Sequence, residues 1–161
     1  VSLPGVGPVA RHWGRHLGPA VDEASRGGFV EAHNVDMIER SRKYFPVVSV
    51  QNRLNPYFRE SIKVAKACAE RGIVFLAYSP VGGGRLAKKL PQFDVLIELA
   101  RKHDRSVHAI TIAWVRAQSA TVVPIPAART VEHALDSAKA ADLLLDAEDL
   151  QMIDDSEFDR S

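Results

Sequence analysis

From about residue 28 onward, short apolar runs alternate with longer stretches in which apolar residues return every three or four positions. That alternation is the pattern of repeated strand and helix units. A weak strand is expected near 28 to 32, and clearer ones at Val47–Gln51, Ile73–Tyr78 and Thr121–Ile125. Between and after them the 3.6-residue period predicts helices over 35–44, 58–71, 93–103, 107–118, 131–140 and 147–155. Asn34, Ser106, Thr130 and Asp146 stand where N-caps belong, with Asp149 three residues after Asp146 in a near-capping-box arrangement. Met37, Ile38 and Ser41 in the first helix, Ile62, Ala65 and Ala69 in the second, and Ile110, Ala113, Trp114 and Ala117 in the fourth are the expected inward residues. Gly72 is placed to take the left-handed conformation that ends a helix.

The strands are apolar throughout, as in Val47-Val48-Ser49-Val50 and Ile73-Val74-Phe75-Leu76. Such runs imply an α/β fold whose parallel sheet is covered on both faces or closed into a barrel. A doubly wound sheet and a (β/α)8 barrel both fit. A barrel normally takes roughly 250 residues, so 161 residues would supply only part of one. A part would leave its edge strands unpaired and prone to self-association.

Twenty-one basic residues against twenty acidic give a net charge of +1, which offers no electrostatic case for nucleic acid or an anionic membrane. The basic runs at 40–43 and 101–105 fall at expected helix C-termini and read as solvated helix ends. The single cysteine, Cys68, excludes an internal disulfide and reads as a small buried residue. No apolar run reaches the ~20 residues of a membrane span, and no leader pattern opens the chain, so the expectation is a cytoplasmic protein.

Residues 1–28 hold six of the ten glycines and three of the nine prolines without sustained periodicity, and form an irregular segment distinct from a domain over 29–161. Gly5-Val6-Gly7-Pro8-Val9-Ala10 matches a dinucleotide-binding pattern in letters only, because no strand leads into it. His12 and His16 are spaced four apart, but Gly14 intervenes and no acidic residue accompanies them, so no metal site is expected. His33, His103, His108 and His133 read as isolated, and no catalytic triad order is present.

Polar residues gather where the strands end: Gln51 and Asn52, then Tyr78 and Ser79, then the stretch from Pro126 to Arg129. Ligands collect at the carboxyl ends of parallel strands. Pro80, Val81, Gly82, Gly83 and Gly84 follow Tyr78 and Ser79, and glycine lets backbone N–H groups close around a phosphate. The same glycines could instead be simple turn material or a lid. Arg129 precedes the expected cap Thr130, so its guanidinium and a helix N-terminus could share one anion.

Val47 to Asn52, Leu76 to Gly84 and Val123 to His133, with Ile112-Ala113-Trp114-Val115 and Leu145 to Asp149, together resemble the aldo-keto reductase family. The resemblance implies the C-terminal half of a (β/α)8 barrel, roughly strands five to eight, and NADP(H) as cofactor. It implies that Tyr78 stacks on the nicotinamide and Gln51 bonds the carboxamide. Ser79, Pro80, Val81, Gly82 and Gly84 would wrap the pyrophosphate. Arg129 would pair with the 2′-phosphate, Ile125 and Ala127 would also bind the cofactor, and Asp136 and Ser137 would stand where the family carries a Glu-Asn pair at the adenine.

Several positions depart from the family pattern. Glu31-Ala32 replaces a Ser-Asn pair, Ala127 a glycine and Ser137 an asparagine. The proton-donating tyrosine of the family and its lysine, aspartate and histidine partners have no counterpart in these residues. Tyr44 and Tyr57 read as a helix residue and a helix-start residue. The resemblance therefore implies carbonyl reduction in an intact parent with a small-molecule carbonyl substrate, and no catalytic residue in this chain, which is expected to be inactive alone. A non-catalytic NADP-binding or scaffold module is the alternative.

Overall fold

A computed structural model describes residues 28–32 and 34–161. The pattern at Gly5–Ala10, the pair His12 and His16, and His33 lie outside the described residues. The elements run β1 (Gly28–Val30), α1 (Val35–Arg42), β2 (Val47–Arg53), α2 (Ile62–Glu70), β3 (Val74–Tyr78), α3 (Gly84–Lys89), a 3-10 turn (Leu90–Gln92), α4 (Asp94–His103), α5 (Val107–Ala117), β4 (Val122–Ile125), α6 (Val131–Lys139) and α7 (Ala147–Asp155). The four strands form one sheet in the order β1-β2-β3-β4, every pair parallel. Among the described strands the order is sequential, without the reversal that the doubly wound alternative requires. The arrangement is an open section of an α/β barrel.

Burial alternates along the strands as the pleat requires. Phe75 and Ala77 are fully buried while Val74, Leu76 and Tyr78 are half-buried; in β2, Val50 and Asn52 are buried while Ser49 and Gln51 are half-buried. The register sets Val50 beside Phe75 and Gln51 beside Leu76, so each class occupies one face. Among the described residues helices therefore cover one face only, which fits the barrel alternative rather than a sheet covered on both faces. Those runs serve two different neighbours, a helix layer and an interior that the described residues leave open. The buried face joins Ile38, Leu54, Leu99, Ile110, Trp114 and Ile153 in one core.

The helix starts follow local chemistry. Side chains of Asn34, Ser106 and Thr130 accept from the N–H groups of Met37, Ala109 and His133 at 2.9, 2.9 and 3.2 Å. Gly72 has φ +65° just past α2, and Asp146 and Asp149 form a reciprocal capping box. Cys68 is fully buried on α2, and burial pushes its thiol up to about 11 against the opposing pull of Arg71.

Four expectations are corrected. Met37 and Ala117 are exposed, because α1 buries only Ile38, while α5, buried all round from Ala109 to Val115, leaves the core at its last turn. The second helix begins at Ile62 rather than 58, since Asn55 ties residues 55–58 into a turn first. Gly84 opens a short helix instead of continuing a loop. Finally, the run at 101–105 is more than a solvated helix end, and His103 is not isolated. Lys102 Nζ donates to Asp149 Oδ1 at 2.6 Å and His103 Nε2 lies 2.7 Å from Asp149 Oδ2, which joins the end of α4 to the start of α7.

The Asp149 side chain is fully buried. Burial alone would raise its pKa, but the hydrogen bonds from Lys102 and His103 and the cap outweigh it and hold the carboxyl below its usual range. Asp149→Ala should lower unfolding free energy by about 2 kcal/mol. Because the folded pKa is depressed, this contribution is present above the ordinary carboxylate range and is lost as pH falls through the folded value. Urea denaturation at stepwise lower pH should show the gap between wild type and Asp149→Ala closing in acid.

Candidate functional site

Side chains at the tips of neighbouring strands form rows across the half-buried face. Arg53, Tyr78 and Ile125 are paired in register as the last residues of β2, β3 and β4, and Gln51, Leu76 and Val123 make the row beneath. Gln51 and Tyr78 therefore share one face on adjacent strands, one row apart. Arg53 lays its guanidinium 3.4 Å from the centre of the Phe58 ring. Asn52 points to the other face, where its Nδ2 donates to the Ala32 carbonyl at 2.6 Å. Glu31 is exposed beside it.

Beyond Tyr78 the chain turns sharply. Ser79 has φ +50°, and Gly82, Gly83 and Gly84 have φ +84°, +67° and +36°. Gly82 N–H donates to the Ser79 carbonyl at 2.8 Å, closing the turn over Pro80 and Val81. Glycine is required at 82, since a Cβ there would lie 2.9 Å from Leu86 Cβ and 3.1 Å from the Tyr57 ring. A Cβ on Gly84 would meet nothing within 4 Å, so the outer side of the turn is open. The N–H groups of Gly83, Gly84 and Arg85 donate to no backbone carbonyl among the described residues.

Sequence reasoning missed the residues beneath this turn. Asn55 is fully buried and donates to the Ser79 carbonyl at 2.8 Å, and the Tyr57 hydroxyl donates to the Leu86 carbonyl at 2.9 Å. The pairing of Asn55 with Pro56 marks a turn in sequence, but no local signal gives its distant partner. Tyr57 is buried, edge-on to Phe93 and Phe158, and burial raises its phenol pKa. Tyr44 is 86% exposed. Neither tyrosine faces the row of Gln51 and Tyr78 as a free hydroxyl.

The third cluster follows β4. Ile125 is 41% exposed, Ala127 and Arg129 are exposed, and Arg129 stands directly before the cap of α6. Arg129 makes no hydrogen bond or ion pair with the described residues. Asp136 is differently placed: its carboxylate accepts from Ser106 Oγ at 2.6 Å, tying α6 to the start of α5. It borders a cavity of about 400 Å³ together with Arg101, Arg105 and Lys139. Ser137 is half-buried beside it. No group of three or more His, Cys, Asp or Glu side chains among the described residues could hold a metal ion.

Gly82→Ala tests the fit of this turn. Strain at positive φ and the contact with Leu86 should cost more than about 1 kcal/mol of stability, read as a lower urea midpoint with an unchanged slope.

Comparison with known proteins converges. The aldo/keto reductase family profile matches residues 28–157. An uncharacterized oxidoreductase of Schizosaccharomyces pombe is 36% identical over 121 residues, covering 75% of this chain and 39% of that protein. The 9,11-endoperoxide prostaglandin H2 reductase of Trypanosoma cruzi is 28% identical, with 81% and 44% covered. The chain thus spans less than half the length of these relatives. Among solved structures, a thermostable aldo-keto reductase with the inhibitor epalrestat superposes with a TM-score of 0.68 at 27% identity, covering 79% of this chain and 46% of that one. A Klebsiella pneumoniae aldo-keto reductase in complex with NADPH gives 0.67 at 25% identity, with 93% and 54% covered. No helix among the described residues is long and apolar enough to cross a membrane. With the fold and the family profile in agreement, the chain belongs to the aldo/keto reductase family of oxidoreductases.

Proposed function

We propose that this chain carries the cofactor-binding side of an aldo-keto reductase barrel, corresponding to strands five to eight, and holds NADP(H). The observation that carries this reading is the convergence of Gln51 and Tyr78 on one sheet face, with the glycine turn starting at Tyr78 and Arg129 on the next connection. Tyr78 offers a ring face to the nicotinamide and Gln51 an amide to its carboxamide. The turn from Ser79 to Gly84 offers N–H groups to the pyrophosphate, and its open outer side suits a phosphate's approach. Arg129, exposed beside a helix start, is suited to a 2′-phosphate, and Ile125 and Ala127 would border it. Asp136 and Ser137 would lie toward the adenine, Asp136 acting chiefly to hold α6 against α5.

In an intact parent, bound NADPH would supply hydride to an aldehyde or ketone. The proton donor would come from outside these residues. Tyr57 donates its hydroxyl to Leu86 and sits in the core, and Tyr44 lies just before the N-terminal end of β2, the opposite end of that strand from its tip. The 161 residues alone are therefore proposed to bind cofactor without turnover. A cytoplasmic setting fits the reading.

A second reading is favoured by the sheet face that the described helices leave uncovered, on which Val74, Leu76 and Val123 are half-buried and Ile125 more open. Here the chain is a non-catalytic NADP-binding or interaction module that self-associates through its β1 and β4 edges.

Quenching or enhancement of NADPH fluorescence by the purified chain should saturate, with no oxidation of NADPH when a generic aldehyde is added. Arg129→Ala should weaken NADPH about tenfold or more and leave NADH nearly unchanged, as expected from losing a charge-assisted bond. Absence of saturation would refute cofactor binding, and turnover would refute the assignment of the proton donor elsewhere. Size-exclusion chromatography with light scattering should show mass rising with concentration; a monomer at all concentrations would exclude association through the edges.

A further inference from the structure

We propose that Asn55, which lies outside the cofactor's own contacts, is the positioning residue that pre-forms the glycine turn; this rests on the reading that the turn receives the cofactor pyrophosphate. Ser79 is a non-glycine residue at φ +50°, a conformation costing roughly 1 kcal/mol or more when nothing holds it. Its carbonyl accepts two hydrogen bonds, from Gly82 N–H and from Asn55 Nδ2, both at 2.8 Å. The first is local to the turn. The second reaches from 24 residues away and fixes the turn to the body of the protein.

The orientation of the Asn55 amide is itself determined. Its Oδ1 accepts from the N–H groups of Tyr57 and Phe58 at 3.0 and 3.1 Å. A flipped amide would set its NH2 against two donors, so the NH2 must face Ser79. Asn55 is fully buried, and opening the turn would strand a donor without water. Two further contacts act in the same sense: the Tyr57 ring lies against Gly82, and the Tyr57 hydroxyl holds Leu86 of the helix that follows. The segment 55–58 is thus a rigid seat under a turn whose glycines would otherwise sample many conformations. A ligand meeting a pre-formed turn does not lose affinity to ordering it.

The decisive variant is Asn55→Asp. It keeps an acceptor for Tyr57 and Phe58, which preserves the seat, and removes the donor to Ser79. Asn55→Ala removes all three bonds and serves as the charge-free companion. Two readouts are needed, both on the full chain at about pH 8 and in both variants. Burial raises a carboxyl pKa and a protonated carboxyl would still donate to Ser79, so Asn55→Ala must give the same result as Asn55→Asp. The first compares NADPH with adenosine 2′-monophosphate, which lacks both phosphates of the pyrophosphate and would engage Arg129 but not the glycine turn. Asn55→Asp is expected to weaken NADPH about tenfold and to leave the 2′-monophosphate within about twofold. Equal weakening of both ligands, or none, overturns the positioning role.

The second readout is amide hydrogen exchange of the ligand-free chain. Exchange across residues 79–86 should quicken about tenfold in Asn55→Asp, while α4 and α5 keep their protection. Unchanged exchange in the turn overturns the inference whatever the ligands do. If wild type binds neither ligand, the cofactor reading fails, and the exchange result still decides whether Asn55 holds the turn.

Discussion

Parallel pairing is the constraint on which the molecule depends. Parallel neighbours cannot be joined by tight turns, so each strand must return through a crossover, and the helices of those crossovers bury one face of the sheet. The consequence is visible in β3, where Phe75 and Ala77 disappear beneath helices while Val74, Leu76 and Tyr78 look the other way. Parallel direction also gathers the C-terminal ends of β2, β3 and β4 along a single edge. Gln51, Tyr78 and the stretch leading to Arg129 share a neighbourhood for that reason, though they are far apart in sequence.

The turn after β3 shows how a local weakness is corrected by distant contacts. Three successive glycines have little conformational preference, and glycine is a poor start for a helix. Yet Gly84 begins α3. The helix is held at Leu86 by Tyr57, while Arg85 and Lys89 donate to carbonyls of Arg160 and Ser161. Phe158 completes the packing against Tyr57 and Phe93 at ring-centre distances of 5.6 and 4.6 Å. Arg59 reaches from the same region to the carbonyls at the end of α7, binding Ile153, Asp154 and Ser156. Order in the turn is therefore supplied from two sides, by the segment 55–59 and by the final residues.

What was legible in the sequence was whatever local chemistry decides. The strands, the caps at Asn34, Ser106, Thr130 and Asp146, and the stop at Gly72 each rest on residues within a few positions of one another. Met37 and Ala117 misled because an apolar side chain at helical spacing says nothing of how wide the covered stripe is or of where along the helix the cover ends. The bond of Lys102 and His103 to Asp149 was invisible, since two ordinary helix ends, more than forty residues apart, acquire their meaning only when α4 and α7 touch. Asn55 escaped for the same reason: an Asn-Pro pair marks a turn, but nothing near it in the chain points to Ser79. At the strand tips the polar residues were readable, and the register added that Gln51 and Tyr78 share a face.

Cys68 gives this chain a property of a different kind. As its sole thiol, with no exposed surface and burial holding it protonated, it cannot meet an alkylating reagent while α2 stays packed. Each modification event must then follow a departure of that helix from the core, so the chain carries its own internal clock for breathing motions, without any introduced label.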